Sequence, residues 1–415
     1  MHAAAHAAER RPNWNVVRDG APDTRRDITG GAVTMFVPLL TRDQIEALPE
    51  RAREVVEYRK SGLSLNHVQG CPLDCAYCIR HTYGVWDMNQ PRVLMDDASA
   101  VRALVEHPYF QPHVTPIQVF NRATDPMLPR VKNHLFAVLA DLDARGLRNH
   151  VLVITRYKVT GQDCERLNEL RNVKLTLLFT YSGIDDKRIE PYPSQVAANS
   201  LRLASALAGR YRTILYWRPL VPGLNDSPQH LDRAVQLSAT AHATVFTGLF
   251  YRDEIADYYR SNGLPEPYDD TARRKIVPET LEQRVLGAFA RSGGPLFRKT
   301  SCAVSYAHEL PDYNGHYGIR ELCDICPLAQ VDRCATAHTV PDEPAVRRVA
   351  ARVPGTPDFD IVDISERAVV VRGLDEQPRY HLQHSLGFQV HDARHPHRLL
   401  RHGRAEIGWE TAGTK

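Results

Sequence analysis

Leu63-Ser64-Leu65-Asn66-His67-Val68-Gln69-Gly70-Cys71-Pro72-Leu73-Asp74-Cys75-Ala76-Tyr77-Cys78 reads as a short β-strand, Leu63 to Val68, running into a loop that carries three cysteines. Gaps of three and two residues let one compact loop wrap three thiolates around a corner of a cubane iron–sulfur cluster, and the fourth iron is left without a protein ligand. An open iron suits a cluster that binds a further ligand as well as transferring electrons, just as a catalytic metal site keeps one position free. A zinc knuckle is the plainer alternative for three clustered thiols.

Working outward from this loop, the same rhythm of short β-rich runs and amphipathic stretches repeats five more times. The further strands are expected at Pro116 to Phe120, His150 to Thr155, Leu175 to Tyr181, Thr213 to Pro219 and Thr244 to Tyr251. Stretches such as His134 to Asp143 and Gln195 to Leu207 have apolar residues at helical spacing and would cover the sheet. The pattern predicts an α/β fold: a partial (β/α)6 TIM-like barrel, with its chemistry on the loops at the C-terminal ends of the strands.

The three-and-two cysteine spacing, with an aromatic residue, Tyr77, just before the third cysteine, resembles the radical S-adenosylmethionine superfamily. That resemblance implies a [4Fe-4S] cluster on Cys71, Cys75 and Cys78 whose open iron chelates S-adenosyl-L-methionine. One-electron reduction would then give a 5′-deoxyadenosyl radical that takes a hydrogen atom from substrate. It also implies a low-potential electron donor, a flavodoxin or ferredoxin.

Ala123-Thr124-Asp125-Pro126 after strand two, Val153-Ile154-Thr155-Arg156 after strand three, Glu190-Pro191 after strand four and Pro219 to Asp226 after strand five resemble the spore photoproduct lyase-like branch, over residues 63 to 250. By that resemblance Thr124 and Asp125 would sit beside the methionine moiety, Arg156 would approach its carboxylate, and Thr180 or Ser182 would reach the ribose. A guanidinium fork suits a carboxylate. The plainer readings are that Asp125 caps a turn, that Arg156 pairs with an acid, and that Thr180 is an ordinary strand residue. The repair lyase has a cysteine near the strand-two turn where this chain has Asn121, Arg122 and Ala123, which argues against that DNA repair activity.

A second set, Cys302, Cys323, Cys326 and Cys334, has 20, 2 and 7 intervening residues. Four thiolates suit zinc or an iron–sulfur cluster, and the first site favours an auxiliary [4Fe-4S] cluster with zinc as the alternative. His308, His316 and His338 are second-choice ligands, and Cys164 reads as a small buried residue.

Asn66, Gln118, Tyr216, Arg218 and Tyr251 are expected to face the barrel mouth as substrate contacts. Tyr77 and Arg218 are the candidates for direct participation. An arginine late in a barrel strand needs an anion or acid to offset its desolvation, so the expected substrate is a small polar or anionic molecule, such as a natural product undergoing modification.

The whole chain has 415 residues, 43% of them hydrophobic and 24% charged, and a formal charge of only +3, which excludes bulk binding of polyanions. No apolar run reaches the roughly 20 residues that span a bilayer, and the opening MHAAAHAAERRPNW lacks a signal peptide's apolar stretch. The expectation is a cytoplasmic protein with no membrane partner. The sequence divides into a lead-in, 1–62, with a helix from Thr41 to Tyr58; the barrel, 63–260; linker helices and the second cysteine set, 261–345, with a helix at Pro278 to Ser292; and a small β-rich basic tail, 346–415, with a hairpin of Asp360 to Ile364 and Ala368 to Arg372. The stretch Pro378 to Arg404 carries Arg379, Arg394, Arg398, Arg401 and Arg404 with six histidines, a composition suited to phosphate or nucleic acid or to a solvated face. Radical modification of a nucleoside or nucleic acid is therefore the second functional reading. A non-catalytic, zinc-containing nucleic-acid-binding protein is the rival from another class.

Overall fold

The computed structural model describes residues 37–85, 88–122, 124–291 and 294–394. The six expected strands are all present: β2 (Gly62–Leu65), β3 (Ile117–Val119), β4 (His150–Thr155), β5 (Lys174–Tyr181), β6 (Arg212–Leu220) and β7 (Ala243–Gly248), each parallel to the next. These strands are buried nearly throughout, which is why they read as continuous apolar runs rather than as alternations. Helices Asp97–Val105, Lys132–Ala144, Gly161–Asn168, Ser194–Ala206 and Pro228–Ser238 connect them. On Lys132–Ala144 the buried side is Leu135, Phe136, Val138, Leu139 and Leu142, the apolar face that covers a sheet.

The sheet has eight strands rather than six. β1 (Val56–Arg59) joins one edge antiparallel to β2, and β8 (Leu296–Phe297) joins the other parallel to β7, so the strands follow chain order across the sheet. The expected helix from Thr41 to Tyr58 is replaced by two short helices, Arg42–Glu46 and Glu50–Arg53, and then β1. Thr41 caps the first through a reciprocal pair of hydrogen bonds with Gln44. Pro49, which lacks an amide hydrogen, starts the second, and Val56-Glu57-Tyr58-Arg59 alternates in burial as a strand does.

Helix Glu279–Ala290 matches the expected one and follows directly on Pro278, and Ser292 lies outside the described residues. The hairpin forms as β9 (Asp360–Ile364) and β10 (Val369–Arg372), with β11 (Val390–Asp392) parallel to β10. The basic stretch is not a solvated face at its start, from Pro378 to Leu386. Its first part belongs to helix Glu376–Leu386, in which Pro378, Arg379, Tyr380, His381 and His384 are all buried. This helix packs on β1, where the Tyr58 hydroxyl lies 2.8 Å from Nδ1 of His384, whose Nε2 lies 2.6 Å from Asn314. Burial drives the His384 imidazole down to about 3, so it packs as a neutral ring. Arg394 pairs with Asp392 at 2.7 Å, and Arg398, Arg401 and Arg404 lie outside the described residues. Among the described residues no helix is long and apolar enough to cross a membrane.

Candidate active site

A cavity of about 680 Å³ lies across the ends of β3 to β7, and the cysteine loop forms one of its walls. Its size is that of small-molecule sites. Cys71, Cys75 and Cys78 all line it. Each of the three thiols acts electrostatically on the other two.

The loop turns through Asp74, whose φ of 47° is left-handed, and Arg80 fastens it from behind. The buried Arg80 guanidinium donates to the carbonyl oxygen of Cys71 and to that of Met88 at 2.9 Å, and reaches Asp74 at 3.2 Å. The sequence reading missed Arg80, although a cation two residues beyond the last cysteine was visible. Burial pushes the Cys71 thiol up to about 12 and raises Cys75 as well. Such thiols are poor nucleophiles in their own right and deprotonate on binding a metal. Three converging thiols with a neighbouring void fit a cluster that keeps one iron open.

Glu190, after β5, is a hub. One carboxylate oxygen accepts from the Tyr77 hydroxyl, from Ser182 Oγ at 2.6 Å and from Arg156 at 3.0 Å, while the other accepts from Ser194. Arg156 also donates to the Tyr77 hydroxyl oxygen at 2.6 Å. Arg156, expected either to approach the methionine carboxylate or to pair with an acid, has an acid partner of its own and still lines the cavity. Ser182 is buried behind Glu190 and is not part of the cavity wall, unlike Thr180.

Asp125 braces two loops: it accepts from Met127 N at 2.9 Å, Thr155 Oγ1 at 2.6 Å and Arg156 N at 2.8 Å. Both its oxygens are used by the protein, and burial raises its carboxyl. Its neighbour Thr124 differs, because its hydroxyl is buried in the cavity wall with no partner among the described residues. A hydroxyl desolvated without a partner is costly and marks a place where a ligand is due.

The other end of the cavity is cationic. Gln118, Tyr216 and Arg218 line it as expected. Asn66 and Tyr251 do not: Asn66 is buried between Ser64 and the Arg122 amide, and Tyr251 bonds Glu266. Arg218 lies 4.0 Å above the Tyr216 ring, with Lys275 at 5.8 Å from it, and Thr300 Oγ1 donates to the Tyr216 hydroxyl at 3.3 Å. Burial by itself would raise this phenol; Arg218 and Lys275 outweigh that and bring it down to about 7.

Thr300 also begins helix Thr300–Ala307, which carries Cys302. Cys302, Cys323, Cys326 and Cys334 lie behind this wall, near enough for each to act electrostatically on the others. His316 is the nearest of the three histidines: a ring nitrogen of His316, a carboxylate oxygen of Asp312 and the sulfur of Cys302 lie within 4.8 Å of one another. His308 instead bonds Thr176, and His338 stacks on Phe388. Cys164 is fully buried in the core.

No protein-family model matches the chain. No curated protein matches it either. Solved structures do align with it at low identity. Spore photoproduct lyase complexed with dinucleoside spore photoproduct is 11% identical, over 57% of this chain and 75% of that one, with a TM-score of 0.43. SuiB of Streptococcus suis bound to the precursor peptide SuiA is 10% identical, over 56% of this chain and 47% of that one, with a TM-score of 0.39. A domain of a pyruvate-formate lyase-activating enzyme from Bacteroides vulgatus is 13% identical, over 40% of this chain and 88% of that one, with a TM-score of 0.28.

Proposed function

We propose that the chain is a radical S-adenosylmethionine enzyme acting on a small polar or anionic substrate. The observation that carries this reading is the convergence of the Cys71, Cys75 and Cys78 thiols on a cavity at the strand ends. In this reading the three cysteines hold the [4Fe-4S] cluster, and the cavity beside them takes S-adenosyl-L-methionine and substrate together. When bound, the pair supplies a radical able to remove a hydrogen atom from an unactivated carbon.

The chain's own residues then have distinct tasks. Arg80 and the Asp74 turn hold the thiol loop in shape. Glu190 fixes Arg156 and Tyr77 as one unit against that loop, so the positive guanidinium faces the thiolates without moving. Thr124 Oγ1, which has no partner among the described residues, is assigned to S-adenosyl-L-methionine, and Thr180 to its ribose side. Asp125 is assigned to positioning alone, since its oxygens are already committed. Arg218 and Tyr216 are assigned to substrate.

Cys302, Cys323, Cys326 and Cys334 are assigned to a second metal centre, an auxiliary [4Fe-4S] cluster with zinc as the alternative. A fully thiolate-ligated centre behind the Tyr216 wall would exchange electrons or staple the fold rather than bind substrate. A flavodoxin or ferredoxin would serve as donor. Residues 63–260 would carry the radical chemistry and 261–345 the second centre.

The test is 5′-deoxyadenosine formation by protein purified without oxygen and reduced with dithionite. Wild type is expected to form it, and Cys71→Ala, Cys75→Ala and Cys78→Ala to lose it. Formation that survives in the triple variant would sink the reading.

A further inference from the structure

Eleven lysines and arginines line the cavity against four acids. Three of those acids are committed at the thiol end and beside it: Asp74 to Arg80, Glu57 to Arg122, and Asp125 to Thr155 and backbone amides. Arg156 at that end is paired with Glu190. The opposite wall is different. Lys60, Arg218, Arg274 and Lys275 have no ion-pair partner among the described residues. Burial depresses Lys60 and Lys275, and neighbouring cations add to it: Lys299 and Arg274 lower Lys60, and Arg218 and Arg59 lower Lys275. The opposing groups are few: Asp312 beside Lys60, Glu376 and Tyr380 beside Arg274, and Tyr216 beside Lys275.

A cavity wall of half-buried like charges is unfavourable unless an anion comes to it. Among the described residues this wall has no buried acid in ion-pair contact, and a phenol, Tyr216, lies under the Arg218 guanidinium at 4.0 Å in the place where a counter-anion would go. We infer that the wall binds the phosphate or diphosphate group of a small substrate, with Lys60, Arg218, Arg274 and Lys275 as its ligands. This rests on the enzyme reading above and names the substrate class for that site. A single carboxylate brings one charge to four cations, whereas a diphosphate brings about three and offers oxygens for two guanidinium forks and two ammonium groups.

The backbone holds the wall in place. Ala272 N donates to Tyr251 O and Ile276 N to Leu249 O, both at 2.8 Å, so Arg273, Arg274 and Lys275 are pinned to the end of β7 from both sides. The cations are therefore presented together before any ligand arrives, and a bound anion orders little that is not already ordered.

Calorimetric titration of the full chain with inorganic pyrophosphate tests this, with citrate at equal ionic strength as the carboxylate control. Pyrophosphate is expected to bind at least about tenfold tighter than citrate, and Arg274→Gln and Lys275→Gln each to weaken it by about tenfold, the scale of one lost charged hydrogen bond. Citrate binding as tightly, or both variants binding as wild type does, overturns the assignment. A readout that needs no variant is the Tyr216 phenol, whose titration midpoint should rise when pyrophosphate occupies the wall; an unmoved midpoint at saturating pyrophosphate also overturns it. Tighter binding of a short single-stranded oligonucleotide than of pyrophosphate would overturn the small-molecule class. The Cys71→Ala/Cys75→Ala/Cys78→Ala variant separates the two proposals, because it should keep pyrophosphate binding while losing deoxyadenosine formation.

Discussion

Glu190 holds the Arg156 guanidinium at 3.0 Å while both side chains are almost out of solvent, at 2% and 12% exposure. Removing one member of such a pair strands the other charge in a low-dielectric setting, at a cost of about 3–5 kcal/mol. Glu190→Ala should therefore lose stability on that scale in urea unfolding of the metal-free chain. Glu190→Gln, which keeps the volume and one acceptor, should lose less. Equal stability of wild type and Glu190→Ala would mean that the pair does not organise the loop.

The two cysteine sets should load independently, since they lie on opposite sides of the Tyr216 wall. With iron–sulfur at both sites, anaerobically purified wild type should hold about eight irons and the Cys71→Ala/Cys75→Ala/Cys78→Ala variant about four. Zinc at the second site would instead give about four irons falling to none beside a constant zinc. Iron lost from both sites together would contradict two separate centres.

What was legible in the sequence follows from how local each signal is. The six parallel strands could be located because each is buried on both faces and so forms an apolar run of its own. β1 was missed although Val56 and Tyr58 alternate with Glu57 and Arg59, because the preceding charged residues suggested a continuing helix across Pro49. Helix Glu376–Leu386 was misjudged for a deeper reason. Its histidines look solvated, and they are buried because Tyr58 and Asn314, far away in the chain, satisfy His384. The site divided in the same way. The thiol spacing is local and was readable, whereas the commitment of Arg156 to Glu190 appears only when β4 and β5 are side by side, and that of Ser182 to the same carboxylate only when the loop after β5 folds back on itself.

Gly248, at the end of β7, lies where the chain returns at Ile276, and a Cβ there would fall well inside contact distance of the Ile276 carbonyl. Gly248→Ala should therefore push out the 272–276 segment that carries Arg274 and Lys275 without touching either side chain. Pyrophosphate affinity is expected to fall by about tenfold or more if the wall is the anion site, since two charged contacts are displaced together. Gly287→Ala, at a glycine of helix Glu279–Ala290 whose Cβ would meet nothing and whose φ is not left-handed, is the control and should leave affinity unchanged. Unchanged affinity in Gly248→Ala would show that the position of the 272–276 segment does not matter to the ligand.

Tyr216 supplies the test that joins these arguments. Its phenol, held down to about 7 by Arg218 and Lys275 against the effect of burial, should titrate in the near-ultraviolet phenolate band about three pH steps below an ordinary tyrosine. Burial pushes the neighbouring phenols of Tyr77, Tyr251, Tyr259 and Tyr313 upward, so an early step has a single owner, and Tyr216→Phe should remove it. Because the folded value lies below the unfolded one, the stabilisation from the phenolate is complete only above the unfolded value, about 10, and is lost as pH falls through about 7. Arg218→Gln takes away the larger of the two cationic influences and should move the step upward. A step that stays near 7 in that variant would mean the guanidinium 4.0 Å above the ring is not what ionises it, and the case for a wall short of anions would lose its clearest spectroscopic sign.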